Sequence, residues 1–187
     1  MLYPNKLNSK KSNLIVKISV GISVIIAILL VMINKLTTPQ IHWAALANAG
    51  IIYIWVTLIY SINKNTNIAA HVLLQMIAIS ILTIYIDYKT GLIGWSINLA
   101  IPIVIIIANI SMLVLTMVSY KKYIRYAIYQ LMVCIFSFIP VYFIYENLVG
   151  NKIMSYIAMG ISVINFILTI CLCAKDVWQA IIRKFHM

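Results

Sequence analysis

The chain has 187 residues, 64% of them hydrophobic and 9% charged, with a formal net charge of +11. Soluble domains are about 45–50% apolar and about 25% charged, so this composition excludes an ordinary water-soluble domain and leaves length for a single membrane domain. A charge of this size would point to nucleic acid in a soluble protein. Here the cations flank apolar stretches, where they act as topology signals and lipid contacts, so no nucleic-acid partner is expected.

A hydrocarbon core about 30 Å thick is crossed by about 20 apolar residues at 1.5 Å rise. The chain opens on a basic tail, residues 1–13, and a first span over 14–33. That span exceeds the 7–15 apolar residues of a signal peptide, and no small-x-small cleavage site follows, so it is expected to be retained. Further spans are expected over 41–62, 68–86, 92–118, 124–145 and 153–174. His71 and Gln75 dilute the third, and the fourth is long enough that it must tilt, kink or protrude. In the tail, 175–187, Val177, Trp178, Ile181, Ile182 and Phe185 share one helical face, while Lys175, Gln179, Arg183 and Lys184 avoid it. This suits a short amphipathic helix in the headgroup plane; the alternative is a simple extension of the sixth helix. The expected fold is all-α, a polytopic transmembrane bundle of six spans over 14–174. Of the 14 lysines and arginines, all but Lys35, Lys89 and Lys152 fall on one side of this threading, which puts both termini in the cytoplasm.

The three outer turns look alike. Each follows a span ending in a polar residue: Asn34, Asp87 or Glu146. The first two then reach Trp43 or Trp95 and an intramembrane amide, Asn48 or Asn98, and the third offers Ser155 and Tyr156. Three helical hairpins would explain the pattern, and so would the general placement of aromatics and polar caps at membrane edges.

No Asp, Glu, Lys or Arg stands near the middle of any span. Coupled transporters usually keep such a residue. The buried polar positions are amides and hydroxyls, among them Asn48, Gln75, Asn98, Asn109, Gln130 and Asn165. They are expected to pair helices more than to bind ligands. Small residues at helical spacing, Ser19, Ser23 and Ala27, Ala45 and Ala49, and Ala158 and Ser162, fit close helix contact. Pro102 and Pro140 interrupt the fourth and fifth spans and free the carbonyls of Asn98 and Phe136. Asn48, Asp87, Trp95, Asn98 and Glu146 are therefore the candidates for a polar outer pocket, against a simple kink. His42, Asp87 and Glu146 could serve acid–base chemistry only if they met, and no nucleophile accompanies them. His71 is expected as a neutral hydrogen-bond partner rather than a pH sensor. Cys134, Cys171 and Cys173 lie in apolar runs without zinc spacing, so no metal, cofactor or catalytic residue is expected.

Several residues together carry a family resemblance: Tyr3 and Pro4, Trp43 and Trp55, Asp87, Gly91, the Gly94-Trp95-Ser96 run before Pro102, Pro140, and the ending Arg183-Lys184-Phe185-His186-Met187. Over nearly its whole length the chain resembles an uncharacterised bacterial integral-membrane family, a domain of unknown function commonly preceded by a zinc ribbon. This chain has no paired Cys-x-x-Cys motif, so the ribbon's zinc-dependent role is not expected here. The resemblance implies a bacterial cytoplasmic-membrane fold and directs attention to Asp87, Trp95, Pro102 and His186. The expected role is a non-enzymatic membrane accessory or scaffold with lipid and another membrane protein as partners. The alternative is a small transporter or substrate-binding subunit for a neutral or weakly polar solute.

Overall fold

The computed structural model describes residues 9–63, 68–118, 123–145 and 153–185. Among these every regular element is a helix: α1 (Ser9–Thr37), α2 (Trp43–Asn63), α3 (Ile68–Lys89), a π-helical turn (Ser96–Ala100), α4 (Ile101–Val118), α5 (Tyr123–Tyr145) and α6 (Ile153–Phe185). Five helical stretches are long and apolar enough to cross a membrane: Val16–Thr37, Trp43–Tyr60, Ile68–Lys89, Ser96–Val118 and Ile153–Leu172. The apolar stretch of α5, Ala127–Phe143, is shorter. The sixth helix does not stop near residue 174 but runs unbroken to Phe185.

The chain forms two compact units, Met1–Trp55 and Val56–Met187. In the first, the least exposed side of α1 is Val16, Ser19, Ser23, Ala27, Leu30 and Asn34, spaced three and four residues apart. Small side chains there let another backbone come close; Asn48 Nδ2 donates to the Ala27 carbonyl at 3.4 Å. The opposite side carries the large aliphatics, such as Ile25 and Ile28, 59% and 56% exposed.

The second unit is inverted relative to a soluble protein. The buried face of α6 is Ser155, Ala158, Ser162, Asn165 and Thr169, and its outer face carries Ile164, Ile167 and Leu168, all exposed. The core of this unit joins Ala69 and Met76 of α3, Ile101, Ile105, Ala108 and Met112 of α4, Val133 of α5 and Ala158 of α6. Polar side chains inside and branched aliphatics outside suit a hydrocarbon solvent, where burying isoleucine gains nothing and exposing an amide is costly.

The expected start of the fourth span at residue 92 shifts. Leu92 and Ile93 belong to a turn in which Gly91, Leu92 and Gly94 all take positive φ, at 109°, 55° and 81°. The Leu92 N–H donates to the Asp87 carbonyl at 2.8 Å, a bond that spans six residues and closes α3 with Gly91 in the left-handed position. Before Pro102 the chain winds one π turn, and the Ile101 N–H donates to the Ser96 carbonyl. A π turn moves the hydrogen-bond register by one residue just ahead of a ring that cannot donate. Pro140 sits inside α5, fully buried.

Gly91→Ala must adopt a conformation that costs an L-residue about 1–2 kcal/mol, although a Cβ there meets nothing within 4 Å. Gly50→Ala, in mid-α2 with equally open space, should instead gain about 0.5–1 kcal/mol from helix propensity. Thermal midpoints of the two variants in detergent should therefore move in opposite directions.

Candidate functional site

Asp87 ends α3 as a buried carboxylate, 2% exposed. Oδ1 accepts from the Gly94 N–H at 3.2 Å, and Oδ2 accepts from the Ser96 N–H at 3.2 Å and the Ser96 hydroxyl at 2.7 Å. Burying a carboxyl group is expensive unless its oxygens are paired, and three donors on its two oxygens meet that cost. The carboxylate thus ties the end of α3 to the start of the fourth span, using both oxygens. Close by in sequence, Lys89 Nζ lies over the rings of Tyr85 and Tyr88 at 5.8 and 5.5 Å.

The first hairpin closes by the same device with an amide. Asn34, 6% exposed, donates from Nδ2 to the Thr38 and Ile41 carbonyls, both at 2.7 Å. Its Oδ1 accepts from the Ala44 N–H at 2.9 Å. Ala44 directly follows Trp43, as Ser96 directly follows Trp95. Trp43 Nε1 donates to Thr38 Oγ1 at 2.9 Å within the same turn. In both turns a polar side chain at the end of one helix accepts the N–H next after a tryptophan.

A second polar cluster joins α4, α5 and α6 around Asn109, which has no exposed surface. Its Nδ2 donates to Ser162 Oγ at 2.6 Å and to the Ile105 carbonyl at 2.9 Å. Its Oδ1 accepts from Gln130 Nε2 at 2.7 Å, and its backbone carbonyl accepts from Asn165 Nδ2 at 2.8 Å. Two acceptors of this cluster, Gln130 Oε1 and Asn165 Oδ1, are buried without a partner among the described residues. Beside it, a groove of about 230 Å³ runs between α4 and α6, lined by Asn109 and Asn165 and by Ile110, Leu113, Ile161 and Ile164 among others.

The five outer-pocket candidates divide. Asp87, Trp95 and Asn98 share the α3–α4 turn and the helical turn after it, with Trp95 and Asn98 half-buried. A Cβ on Gly94 would stand 3.7 Å from Asn98 Nδ2. Asn48 lies in the first unit and spends its Nδ2 on α1. Glu146 and His186 lie outside the described residues. His42 is exposed. His71 stacks on Tyr60, ring centroids 5.9 Å apart. No group of three or more His, Cys, Asp or Glu poised for a metal occurs among the described residues. The Asn109 hub was visible in the sequence only as separate intramembrane amides; the spacing on three different helices gives no sign that they converge.

These features define an all-helical protein with several helices fit to cross a membrane and polar side chains that knit helix ends and interiors. The chain belongs to a family of unknown function, DUF6320, whose model matches residues 3–187. No curated protein and no solved structure matches it.

Replacing Asp87 by Ala removes an acceptor from three donors and should cost about 2–3 kcal/mol, whereas Asp87→Asn keeps one acceptor oxygen and should cost about 1 kcal/mol. In the helix interior bonds are worth less, about 0.6 kcal/mol each on average. Asn109→Leu, which removes the side-chain bonds to Ser162, Ile105 and Gln130, should therefore cost about 2 kcal/mol and Ser162→Ala about 0.6 kcal/mol. Unfolding of the micellar protein, followed by helical circular dichroism, measures all four.

Proposed function

We propose that the chain is a six-span protein of the bacterial cytoplasmic membrane, with both termini in the cytoplasm, that acts without enzymatic activity as an accessory or scaffold for another membrane protein. Lipid and that membrane protein are its partners. The observation that carries the reading is where the polar atoms go. Both Asp87 oxygens are engaged by the turn that Asp87 closes, and the Asn109 cluster pairs helices with one another. A protein that transforms or carries a polar solute keeps such groups turned toward a cavity. The 230 Å³ groove lies against exposed aliphatics instead, and it is smaller than the roughly 300–1,000 Å³ of sites that enclose small molecules.

The six-span threading takes support from α5, a 23-residue helix that at 1.5 Å per residue reaches about 34 Å, and from the asymmetry of lysine and arginine. The spans group as three hairpins. Two outer turns share the polar-to-tryptophan device, and Glu146 stands nine residues before Ser155, as Asp87 stands nine before Ser96. Ser155 is fully buried, and its hydroxyl has no partner among the described residues.

Reporters fused at Met1 and at Met187 should both report from the cytoplasm; opposite sides would break the threading. The affinity-tagged chain, drawn from native membranes, should bring down one membrane protein in near-stoichiometric amount. A stoichiometric polar solute with no protein would replace the accessory reading by transport. For the third hairpin, Glu146→Gln and Ser155→Ala should each lower the thermal midpoint, and the double variant should fall no further than the worse single one. Additive losses would separate the two residues.

A further inference from the structure

We infer that the junction of α4, α5 and α6 is a binding site for one internal water molecule, which donates its two protons to Gln130 Oε1 and Asn165 Oδ1. The inference is independent of the accessory reading.

The bonding pattern fixes which atoms are open. Asn109 turns one side-chain atom to the Ile105 carbonyl at 2.9 Å. A carbonyl cannot donate, so that atom belongs to the NH2 group and the other, Oδ1, is an acceptor. Oδ1 therefore faces the NH2 group of Gln130 at 2.7 Å, which leaves Gln130 Oε1 over. The Asn109 backbone carbonyl fixes Asn165 in the same way, taking its Nδ2 at 2.8 Å and leaving its Oδ1. Turning either amide round would set two acceptors against each other. Both leftover oxygens are enclosed and have no partner among the described residues, and each belongs to an amide that is bound to the same residue, Asn109.

Enclosure and depth select the donor. Asn165 lies on the membrane-crossing stretch Ile153–Leu172, about 18 Å from Ile153 along the helix axis at 1.5 Å per residue, well inside a core of about 30 Å. Acyl chains have no donor, and a side chain from outside does not reach an enclosed atom. A bare cation would be a buried charge, which two neutral oxygens do not repay; no group of three or more His, Cys, Asp or Glu poised for a metal occurs among the described residues. Water is small and neutral, and its two protons match the two acceptors. Buried waters make about two to four hydrogen bonds to polar groups that are otherwise unsatisfied, so one acceptor alone does not hold a water here and the two must share it. Ser162 stands at the same junction, accepting from Asn109 at 2.6 Å with a hydroxyl proton of its own. An enclosed water of this kind is part of the protein's interior, not of its hydrocarbon surroundings.

The test uses the full-length chain, labelled with heavy nitrogen, in detergent micelles. Nuclear Overhauser spectra should show cross-peaks at the water frequency from the side-chain amide protons of both Gln130 and Asn165, with the sign of a long-lived water. The backbone amide of Ile110, on the lipid side of α4, should show none. Ser162→Ala, which removes the exchanging hydroxyl, should keep both cross-peaks. Gln130→Leu should abolish the one at Asn165; if that variant does not fold, the spectra of the unaltered chain and of Ser162→Ala still decide. Absence of the cross-peaks in the unaltered chain means a dry junction and overturns the inference. So does their loss in Ser162→Ala, an equal peak at Ile110, or an Asn165 peak that persists in folded Gln130→Leu.

Discussion

The rest of this structure depends on a shortage of hydrogen-bond partners outside it. Where the surroundings are hydrocarbon, an amide or hydroxyl finds its partner in the protein or not at all. Asn109 shows the consequence. One side chain with no exposed surface accepts from α5, donates to α6 and reaches back to its own helix. Each bond is weak by itself, but together they set the rotation of three helices, because turning any one of them would leave several polar atoms unpaired. Aliphatic packing could not do this, since isoleucine against isoleucine is little different from isoleucine against lipid.

The same shortage governs the turns. A helix end leaves carbonyls and N–H groups unpaired, and near a membrane surface water reaches them only in part. Asn34 and Asp87 answer with one geometry and different chemistry. The amide both donates to carbonyls of the departing chain and accepts from the arriving helix. The carboxylate only accepts, so its partners are the donors of Gly94 and Ser96, and the departing carbonyls are served by backbone N–H groups such as that of Leu92. Positive φ at Gly91 and Gly94 is what brings those donors around to face the acid.

Much of the helical plan is legible in the sequence because hydropathy is a long-range average: about twenty residues must agree before a span is read, and single exceptions such as His71 and Gln75 do not disturb it. Boundaries are less legible. Residues 92 and 93 are as apolar as those that follow, and only backbone torsion excludes them from the helix. Pro102 is visible as a break in hydrogen bonding, but a π turn ahead of it has no signature of its own. The small-residue face of α1, Ser19, Ser23 and Ala27, is legible because spacing alone puts those residues on one side, and that side is the less exposed one. The convergence of Asn109, Gln130, Ser162 and Asn165 is not legible, since it depends on the rotation of three helices that no local pattern encodes. Asp87 reads from the sequence as a surface cap or a pocket residue, and burial separates these: at 2% exposure with both oxygens engaged, it is an internal tie.

That distinction decides how the acidic residues bear on function. A chain with only three carboxylates draws attention to each as a site of chemistry, because charge is scarce and costly near lipid. Scarcity, however, equally follows from structural use. A carboxylate that ties a turn is retained for the donors it satisfies, and a turn that must reverse the chain at a membrane surface supplies those donors in a fixed place. On the accessory reading proposed above, with the polar groups spent internally, recognition falls to the aliphatic outer faces. That surface, on the same reading, discriminates among helices better than among solutes, because a helix can match a pattern of bulk along its length while a small polar molecule has first to leave water to reach it.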